Sequence, residues 1–273
     1  MTDLSPGMAA TDDAARSDVV YSVDHGVAHL RLNRPWAHNA LNLHLARSLT
    51  EAVQRADRDT KVRAVLLSGE GASFCAGGDV RSMANSDEPE ALLAALATAS
   101  HEAVSALNDL EKPVVVAATG SSAGAGLAYV CGADVVIAGE GSTFLSAFTA
   151  IGLSPDSGCS WLLPRIVGQH RAMELILLNR VLASHEALEW GLVTRVVPDG
   201  DVLDQAHEVA RALGRGDGKS SGRSRFLVRQ SWESTLHEHL QLEAEVISEL
   251  AGTETSRGLV RAFAAPRQPR THT

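Results

Sequence analysis

The stretch KPVVVAATGSSAGAGLAYVCGADVVIAGEGSTFLSAFTAIGLSPDSGCSWLLPR, residues 112–165, decides how the rest of the chain is interpreted. It opens with an apolar run typical of a buried strand, turns through glycines into a helical pattern, and continues into a second apolar run. Its last third carries one acid, Asp156, among apolar residues. A sharp turn into a helix N-terminus presents backbone N–H groups, so we expect acyl chemistry that combines such donors with this carboxylate.

The order of apolar runs around this stretch predicts an α/β fold. Strand, helix and strand patterns alternate, which is typical of parallel strands joined by helices. The first two strands are expected to form a hairpin around 24–26, and from about residue 168 the pattern is mainly helical. The predicted strands cover 19–23, 27–32, 62–68, 113–118 and 133–138, and the predicted helices cover 42–58, 86–110 and a short segment between the last two strands.

The chain is expected to form one large domain with a helical appendage. We divide it into a disordered tail at 1–17, a core at 18–200, a helical region at 201–265 and a second tail at 266–273. The segment 214–223 is rich in glycine and serine and predicts a flexible joint.

Composition excludes several classes of protein. The 273 residues carry a net charge of -9 with no basic stripe, which argues against nucleic acid as a partner. The three cysteines lack metal-type spacing and are expected to be buried thiols in a reducing compartment. No run approaches the roughly 18 to 20 apolar residues of a membrane span, and the N-terminus lacks a signal pattern. We expect a cytoplasmic protein without membrane contact or metal.

The segment 120–124, GSSAG, matches the G-x-S-x-G pattern of a nucleophile elbow. It follows a strand and precedes a helix, so Ser122 is a candidate nucleophile of a serine hydrolase. That interpretation also needs an acid and a later histidine, for which Asp134 or Asp156 and His170 or His185 are available. None of these histidines stands in a recognisable motif.

A second interpretation uses two glycine-rich turns together, 69–79 and 120–126. Each follows a predicted parallel strand, and each offers N–H groups at a turn or helix start. Two N–H groups aimed at one point form an oxyanion hole, and small residues let a ligand carbonyl approach the backbone.

Several ordered motifs resemble the enoyl-CoA hydratase/isomerase (crotonase) superfamily over about residues 19–263. The resemblance implies a ClpP/crotonase-like ββα spiral core and a helical C-terminal region that forms a homotrimer or a dimer of trimers. It also implies an acyl-CoA thioester substrate, with coenzyme A as part of the substrate and no separate cofactor. The motifs are LNRP at 32–35, NALN at 39–42, SFCAGGD at 73–79, KPV at 112–114, GAG at 124–126, Asp134, Phe144 and EWGLV at 189–193.

The same resemblance implies a set of site residues. The oxyanion donors would be the backbone N–H groups of Gly78 and of Ala125, where alanine replaces the commoner glycine. Asp79 is expected to brace the oxyanion loop. The residues expected to contact substrate or coenzyme A are His38, Ala40, Ala76, Gly78, Asp79, Val80, Arg81 and Phe148.

Hydratases of this superfamily use two glutamates to position and split a water. In a gap-free register those positions fall on Ala128 and Phe148, so both carboxylates are missing. Glu140 is expected in a turn between strands, from which it cannot replace them. The sequence therefore argues against a standard two-glutamate hydratase.

Asp156 is left as the candidate catalytic acid/base, unless it merely caps the following helix. Its surroundings resemble the ring-opening enoyl-CoA isomerases of phenylacetate degradation. The same position resembles the nucleophilic aspartate of 4-halobenzoyl-CoA dehalogenases and a functional aspartate of naphthoyl-CoA synthases. His101 matches the dehalogenase's helper base, whereas Phe148 replaces the tryptophan that holds the dehalogenase aspartate.

These observations lead to one hypothesis and three alternatives. The hypothesis is double-bond isomerisation of an enoyl-CoA by Asp156, in fatty acid or aromatic acid metabolism. The alternatives are dehalogenation or thioester hydrolysis with Asp156 as nucleophile, a serine hydrolase using Ser122, and a non-catalytic scaffold that binds CoA esters.

Overall fold

The computed structural model describes residues 17–215 and 218–265. Apart from Ser17, the two predicted tails, 1–17 and 266–273, lie outside the described residues. The strands are β1 (Val19–Asp24), β2 (Val27–Leu32), β3 (Ala64–Gly69), β4 (Val114–Ala118), β5 (Ser121–Ala123), β6 (Val135–Gly139), β7 (Thr143–Leu145), β8 (Leu182–Ala183) and β9 (Arg195–Val197). The helices are α1 (Leu43–Arg58), α2 (Val80–Ala84), α3 (Pro89–Asp109), α4 (Ala125–Cys131), α5 (Cys159–Val167), α6 (Gln169–Leu178), α7 (Ser184–Glu189), α8 (Val202–Gly214), α9 (Gly218–Gln230), α10 (Leu236–Ala251) and α11 (Glu254–Ala264).

Two sheets organise the described chain. The larger has six strands in the order β1-β2-β3-β4-β6-β9, with β1 and β2 antiparallel and the others parallel. The smaller has three strands in the order β5-β7-β8. Because β2, β3, β4 and β6 run parallel, the turns that follow them meet at one edge of the sheet.

Local signals explain the first elements. The β1–β2 hairpin turns through His25 and Gly26, whose φ angles of 48° and 81° match a type I′ turn. The side chain of Asn42 caps α1 by accepting a hydrogen bond of 2.8 Å from the N–H of Leu45. The predicted hairpin and the predicted helix cap are both confirmed.

The central strands are buried on both faces, as their uninterrupted apolar runs predict. On one face they pack with α1, α3 and α4 in the main core. On the other face Val202, Ala206 and Ala210 of α8 cover Leu66 and Val115. The proposed boundary at 200/201 therefore falls between the sheet and the helix that covers it, and that division into domains stays a prediction.

Several short elements were not predicted from the sequence. The predicted helix at 86–110 begins only at Pro89, and α2 precedes it as a separate turn of helix. Strands β5, β7, β8 and β9 have two or three residues each. Such lengths are too short for a periodic signal, so the pairing with neighbouring strands creates them.

The predicted C-terminal helices are present, and an ion pair made by a buried arginine ties α9 to the core. Arg225 of α9 donates to both carboxylate oxygens of Asp134, at 2.7 and 3.0 Å, and its guanidinium also donates to the carbonyls of Leu107, Asn108 and Leu110. Asp134 in turn accepts the N–H of Val114 at 2.7 Å. This network joins α9, the end of α3 and the start of β4, and it satisfies carbonyls that the helix end leaves unpaired.

His29 gives the fold a pH dependence. Burial, together with the neighbouring His207, lowers the pKa of His29 to about 4, below its ordinary value of 6.5. The unfolded chain therefore binds this proton at higher pH than the native state, so native stability falls as the pH drops from about 6.5 towards 4. We expect His29→Gln, whose amide can replace the 2.7 Å contact with Ser68, to flatten this part of the stability curve.

Urea unfolding midpoints measured between pH 7 and pH 4.5 check this prediction. His185→Gln, a change at an exposed histidine, is the matched control and should leave the slope unchanged. Equal slopes for the native protein and His29→Gln would contradict it.

Candidate active site

A cavity of about 480 Å³ lies between the two glycine-rich turns, helix α3 and the loop that precedes α5. It collects six predicted site residues: Ala76, Gly78, Val80, Ala125, Phe148 and Asp156. Its wall is mostly apolar, formed by Leu41, Val80, Met83, Leu93, Leu96, Phe148, Ile151 and Leu153.

The two glycine-rich turns are joined directly by backbone hydrogen bonds. The N–H of Cys75 donates to the carbonyl of Ser121 at 3.2 Å, and the N–H of Ala123 donates to the carbonyl of Cys75 at 2.9 Å. A Cβ atom at Gly77 would lie 2.9 Å from the carbonyl oxygen of Ala123. The backbones can pass this closely only because residue 77 has no side chain, and its φ of 90° also favours glycine.

The predicted oxyanion donors both reach the cavity. Ala125 is the first residue of α4, so its N–H has no acceptor within the helix. On either side of Gly78, the carbonyl of Gly77 accepts the N–H of Leu41 and the N–H of Asp79 donates to the carbonyl of Leu41. The N–H of Gly78 takes no part in this pairing. Within the described residues neither N–H has a hydrogen-bond partner. Two unpaired donors at one cavity suit an oxygen that carries developing negative charge.

Asp79 supports the first of these turns. One carboxylate oxygen caps α2 by accepting the N–H of Ser82 at 3.2 Å, and the other accepts from Arg34 at 3.4 Å. Asn39 is fully buried and links the same segment: its oxygen accepts the N–H of Arg34, and its amide donates to the carbonyl of Ser73 at 2.8 Å. Arg34 and Asn39 were not predicted as site residues, although both stand in the quoted motifs.

A second depression of about 550 Å³ adjoins the cavity and shares Val80 with it. It contains the remaining predicted substrate contacts, namely His38, Ala40, Asp79 and Arg81. The Nδ1 atom of His38 lies 3.3 Å from the hydroxyl of Ser73. The depression therefore offers cationic and aromatic groups beside the mouth of an apolar cavity.

Asp156 is the only ionisable carboxylate among the described residues that line the cavity. Helix α5 begins after Gly158 and has no side-chain cap, so the interpretation of Asp156 as a side-chain helix cap is wrong. Instead, its Oδ1 atom accepts a hydrogen bond of 2.8 Å from the hydroxyl of Ser157. Oδ2 has no hydrogen-bond partner within the described residues.

The two hydratase glutamate positions carry no acid-base group. Phe148 lies in the cavity wall, and Ala128 is fully buried on α4. Glu140 lies between β6 and β7, where its N–H donates to the carbonyl of Val197, and its side chain is not part of the cavity lining. The structure thus leaves Asp156 without a second carboxylate partner in the described cavity.

Neither Ser122 nor Cys75 has the geometry of a nucleophile. Ser122 lies in the middle of β5 rather than at a turn, is 0% exposed, and its hydroxyl has no hydrogen-bond partner in the described residues. An elbow requires an exposed hydroxyl next to a base, so the serine hydrolase alternative is wrong. Burial raises the pKa of the Cys75 thiol to about 11, so it stays protonated at neutral pH.

His101, the predicted helper, lies beside Asp156 but outside the cavity lining. Its Nε2 atom accepts the backbone N–H of Ser157 at 3.3 Å, and the residue is exposed. Among the described residues there is no group of three or more His, Cys, Asp or Glu that could hold a metal ion. Over the same residues, every helix is too short or too polar to cross a membrane.

Comparison with known proteins shows the family of the chain. The model of the family Enoyl-CoA hydratase/isomerase matches residues 22–272. The chain is 36% identical over 254 residues to 1,2-epoxyphenylacetyl-CoA isomerase of Escherichia coli K12, covering 92% of this chain and 97% of the relative. It is 35% identical over 236 residues to 4-chlorobenzoyl coenzyme A dehalogenase-2 of an Arthrobacter species, covering 85% and 86%.

The fold is also similar to that of a solved structure. The crystal structure of an enoyl-CoA hydratase from Bacillus anthracis superposes with a TM-score of 0.86 at 27% identity, covering 90% of this chain and 95% of that one. The fold and the cavity define a crotonase-fold protein. The chain belongs to the enoyl-CoA hydratase/isomerase family, whose members act on acyl-CoA thioesters.

Gly126 offers a test of the joined turns. A Cβ atom there would lie 2.2 Å from the carbonyl oxygen of Cys75, so Gly126→Ala must push the two turns apart. We expect a loss of about 1–3 kcal/mol in the free energy of unfolding, typical of overpacking. We also expect a much larger fractional loss of acyl-CoA turnover, because the two donors no longer converge.

Gly132→Ala, at the residue that directly follows the same helix, is the control, since the nearest atoms to a Cβ there lie 3.6 Å away. Denaturant unfolding and turnover are measured on both variants. Equal turnover by Gly126→Ala and Gly132→Ala would contradict the prediction.

Proposed function

We propose that this protein isomerises the double bond of an enoyl-CoA through an enolate, with Asp156 as the acid/base. The observation that carries the proposal is one carboxylate, with one free oxygen, in the same apolar cavity as two unpaired backbone N–H groups. One group can move a proton, and the other two can hold the charge that the proton leaves behind.

In this mechanism the thioester oxygen accepts hydrogen bonds from the N–H groups of Gly78 and Ala125. Asp156 takes a proton from the α-carbon, and the electron pair moves onto the thioester oxygen as a dienolate. The proton then returns to the γ-carbon while the carbonyl re-forms, so no atom is gained or lost. One donor of this kind is typically worth about 3 kcal/mol of transition-state stabilisation.

The absence of acid-base groups at 128 and 148 argues against hydration as the reaction. Adding water across a double bond requires a group that holds and deprotonates the water. Phe148 contributes an apolar ring at one of the two positions, and Ala128 contributes a methyl group at the other. An apolar wall excludes the water that hydration needs, whereas isomerisation needs none.

The second depression is the proposed binding site for the coenzyme A part of the substrate. The depression with His38 and Arg81 suits the anionic and adenine parts of coenzyme A, and Ala40, Ala76, Asp79 and Val80 line the path from it to the cavity.

We propose a cytoplasmic homotrimer or dimer of trimers that needs no separate cofactor. The oligomer is supported by exposed apolar side chains on α10 and α11, namely Leu236, Leu240, Ile247, Leu259, Val260 and Phe263.

A second candidate function is nucleophilic dehalogenation or thioester hydrolysis by the same carboxylate. It is favoured by the free Oδ2 atom of Asp156, by His101 beside it and by the 4-chlorobenzoyl-CoA dehalogenase relative. The phenyl ring of Phe148 offers no N–H to hold the aspartate, which ranks this candidate below isomerisation. Rapid-quench mass spectrometry separates the two, since only the nucleophilic route leaves an acyl or aryl adduct on Asp156.

The exchange Asp156→Asn tests the proposal. The amide cannot accept the substrate proton, so isomerisation of a β,γ-enoyl-CoA should fall by at least about 10²-fold. The measurement is chromatographic analysis of double-bond position over time. Glu140→Gln, at an exposed carboxylate outside the cavity, is the control and should retain turnover. Full turnover by Asp156→Asn would refute the mechanism.

The cavity lining also predicts substrate preference. Within the described residues it contains no Lys, Arg or His, and Asp156 is its one charged group. An acyl chain that ends in a carboxylate would bury an unpaired anion near another anion. We expect kcat/KM for an apolar enoyl-CoA to exceed that for an ω-carboxyl analogue of equal length by about 100-fold or more, since that discrimination requires roughly 3 kcal/mol. Equal kcat/KM values would contradict the assignment.

A further inference from the structure

Behind Asp156 lies a line of three buried hydroxyl groups. The hydroxyl of Ser157 is 2.8 Å from Oδ1 of Asp156, Ser100 Oγ is 2.7 Å from Ser157 Oγ, and the hydroxyl of Tyr129 is 3.2 Å from Ser100 Oγ. Ser157 is 0% exposed, and Ser100 and Tyr129 are each 1% exposed. Three separate elements supply them: the loop before α5, helix α3 and helix α4.

The direction of these hydrogen bonds is fixed by the carboxylate. An ionised carboxylate only accepts, so Ser157 must donate to it. The single proton of Ser157 is then used, so Ser157 accepts from Ser100, and Ser100 accepts from Tyr129 by the same reasoning. Burial raises the pKa of the Tyr129 phenol well above its ordinary value, so this first donor keeps its proton. All three hydroxyls therefore point towards Asp156.

The backbone of Ser157 is held in an uncommon conformation. Its φ of 52° lies in the left-handed region, which glycine adopts more readily than serine. Its N–H donates to His101, so consecutive residues of α3 hold both its backbone and its hydroxyl. A serine kept where glycine would be less strained indicates that the hydroxyl itself has a role.

We propose that Ser157 is a positioning residue for Asp156, supported by Ser100 and Tyr129. The inference rests on the proposed function of Asp156 as the acid/base. The hydrogen bond from Ser157 occupies Oδ1 and fixes the rotamer of the carboxylate, so Oδ2 alone takes the proton from carbon and returns it. The same hydrogen bond serves the ionised and the protonated carboxyl, so the hydroxyls need not rearrange during turnover.

Three titratable groups lie close to Asp156 and Ser157. Tyr129 on α4 and Cys159 on α5 interact electrostatically with Asp156, and His101 on α3 contacts the backbone N–H of Ser157. Burial, with Asp156 nearby, raises the pKa of Cys159 to about 12, so this thiol and the Tyr129 phenol both stay protonated near neutral pH. Histidine is the residue type that switches charge near neutral pH, so the test must separate the effect of His101 from that of the hydroxyl.

The exchange Ser157→Gly tests the hydroxyl without straining the backbone, because glycine suits a positive φ. We expect kcat for isomerisation to fall about 10-fold to 100-fold with KM little changed, as for a lost hydrogen bond to a charged group. The acid limb of the kcat profile should move to higher pH by about one unit, since the ionised carboxylate loses a donor. Tyr129→Phe should move it the same way but less, and Ser105→Ala, an exposed serine on α3, is the control.

A shift that persists in a His101→Gln background supports the proposal, and a shift that vanishes there overturns it. Ser157→Gly with the kcat and pH profile of the native protein also overturns it. A readout independent of turnover is the titration of the Asp156 carboxyl carbon by NMR, assigned with Asp156→Asn. If the native protein isomerises nothing while this titration still moves to higher pH in Ser157→Gly, the proposed function fails and the positioning role stands.

Discussion

The close contact between two glycine-rich turns is the constraint on which the site depends. Cys75 exchanges backbone hydrogen bonds with Ser121 and Ala123, and Gly77 lets the second turn pass without a side chain between them. Each turn follows a parallel strand of the large sheet, so the sheet brings both to one edge. Gly78 and Ala125 then line one cavity as a consequence of strand order, and the proposed donor pair consists of backbone N–H groups alone.

The proposed reaction also needs a group that moves the proton, and the backbone of the two turns does not supply it. Ala128 and Phe148 provide no carboxylate, and Asp156 reaches the cavity from a different loop. In the proposed mechanism the donor pair stabilises an enolate whichever group forms it, so we infer that the placement of the carboxylate selects the reaction. Such a division of roles is compatible with relatives named as isomerase and dehalogenase, which share 36% and 35% identity with the chain.

The sequence predicted the elements whose signals are local. The hairpin at His25 and Gly26, the cap by Asn42 and the lone acid at 156 follow from residue type and neighbours. The strand that contains Ser122 does not, because three residues become a strand only by pairing with Phe144 and its neighbours. For that reason the G-x-S-x-G motif, which predicts an exposed serine, contains a buried serine in this structure.

The hydroxyl line behind Asp156 was also beyond sequence reasoning. Ser100 meets Tyr129 and Ser157 across 29 and 57 residues of chain, and nothing near Ser157 in the sequence indicates a positive φ. Such contacts depend on how α3 and α4 pack. Hydrophobic periodicity predicts which face of a helix is buried, but not which atoms on that face meet. The sequence therefore located Gly78, Ala125 and Asp156 at the cavity but not the hydroxyl groups that contact the carboxylate.

In the proposed reaction, Asp156 and the two N–H groups convert an enoyl-CoA into an enolate, which is re-protonated rather than hydrated. The most direct measurement incubates the native protein in heavy water with a panel of apolar acyl-CoA and enoyl-CoA thioesters and follows the products by mass spectrometry. We expect deuterium at the α- or γ-carbon and a shifted double bond, with no product heavier by one water. Hydration without a double-bond shift, or the absence of exchange with every thioester of the panel, would contradict it.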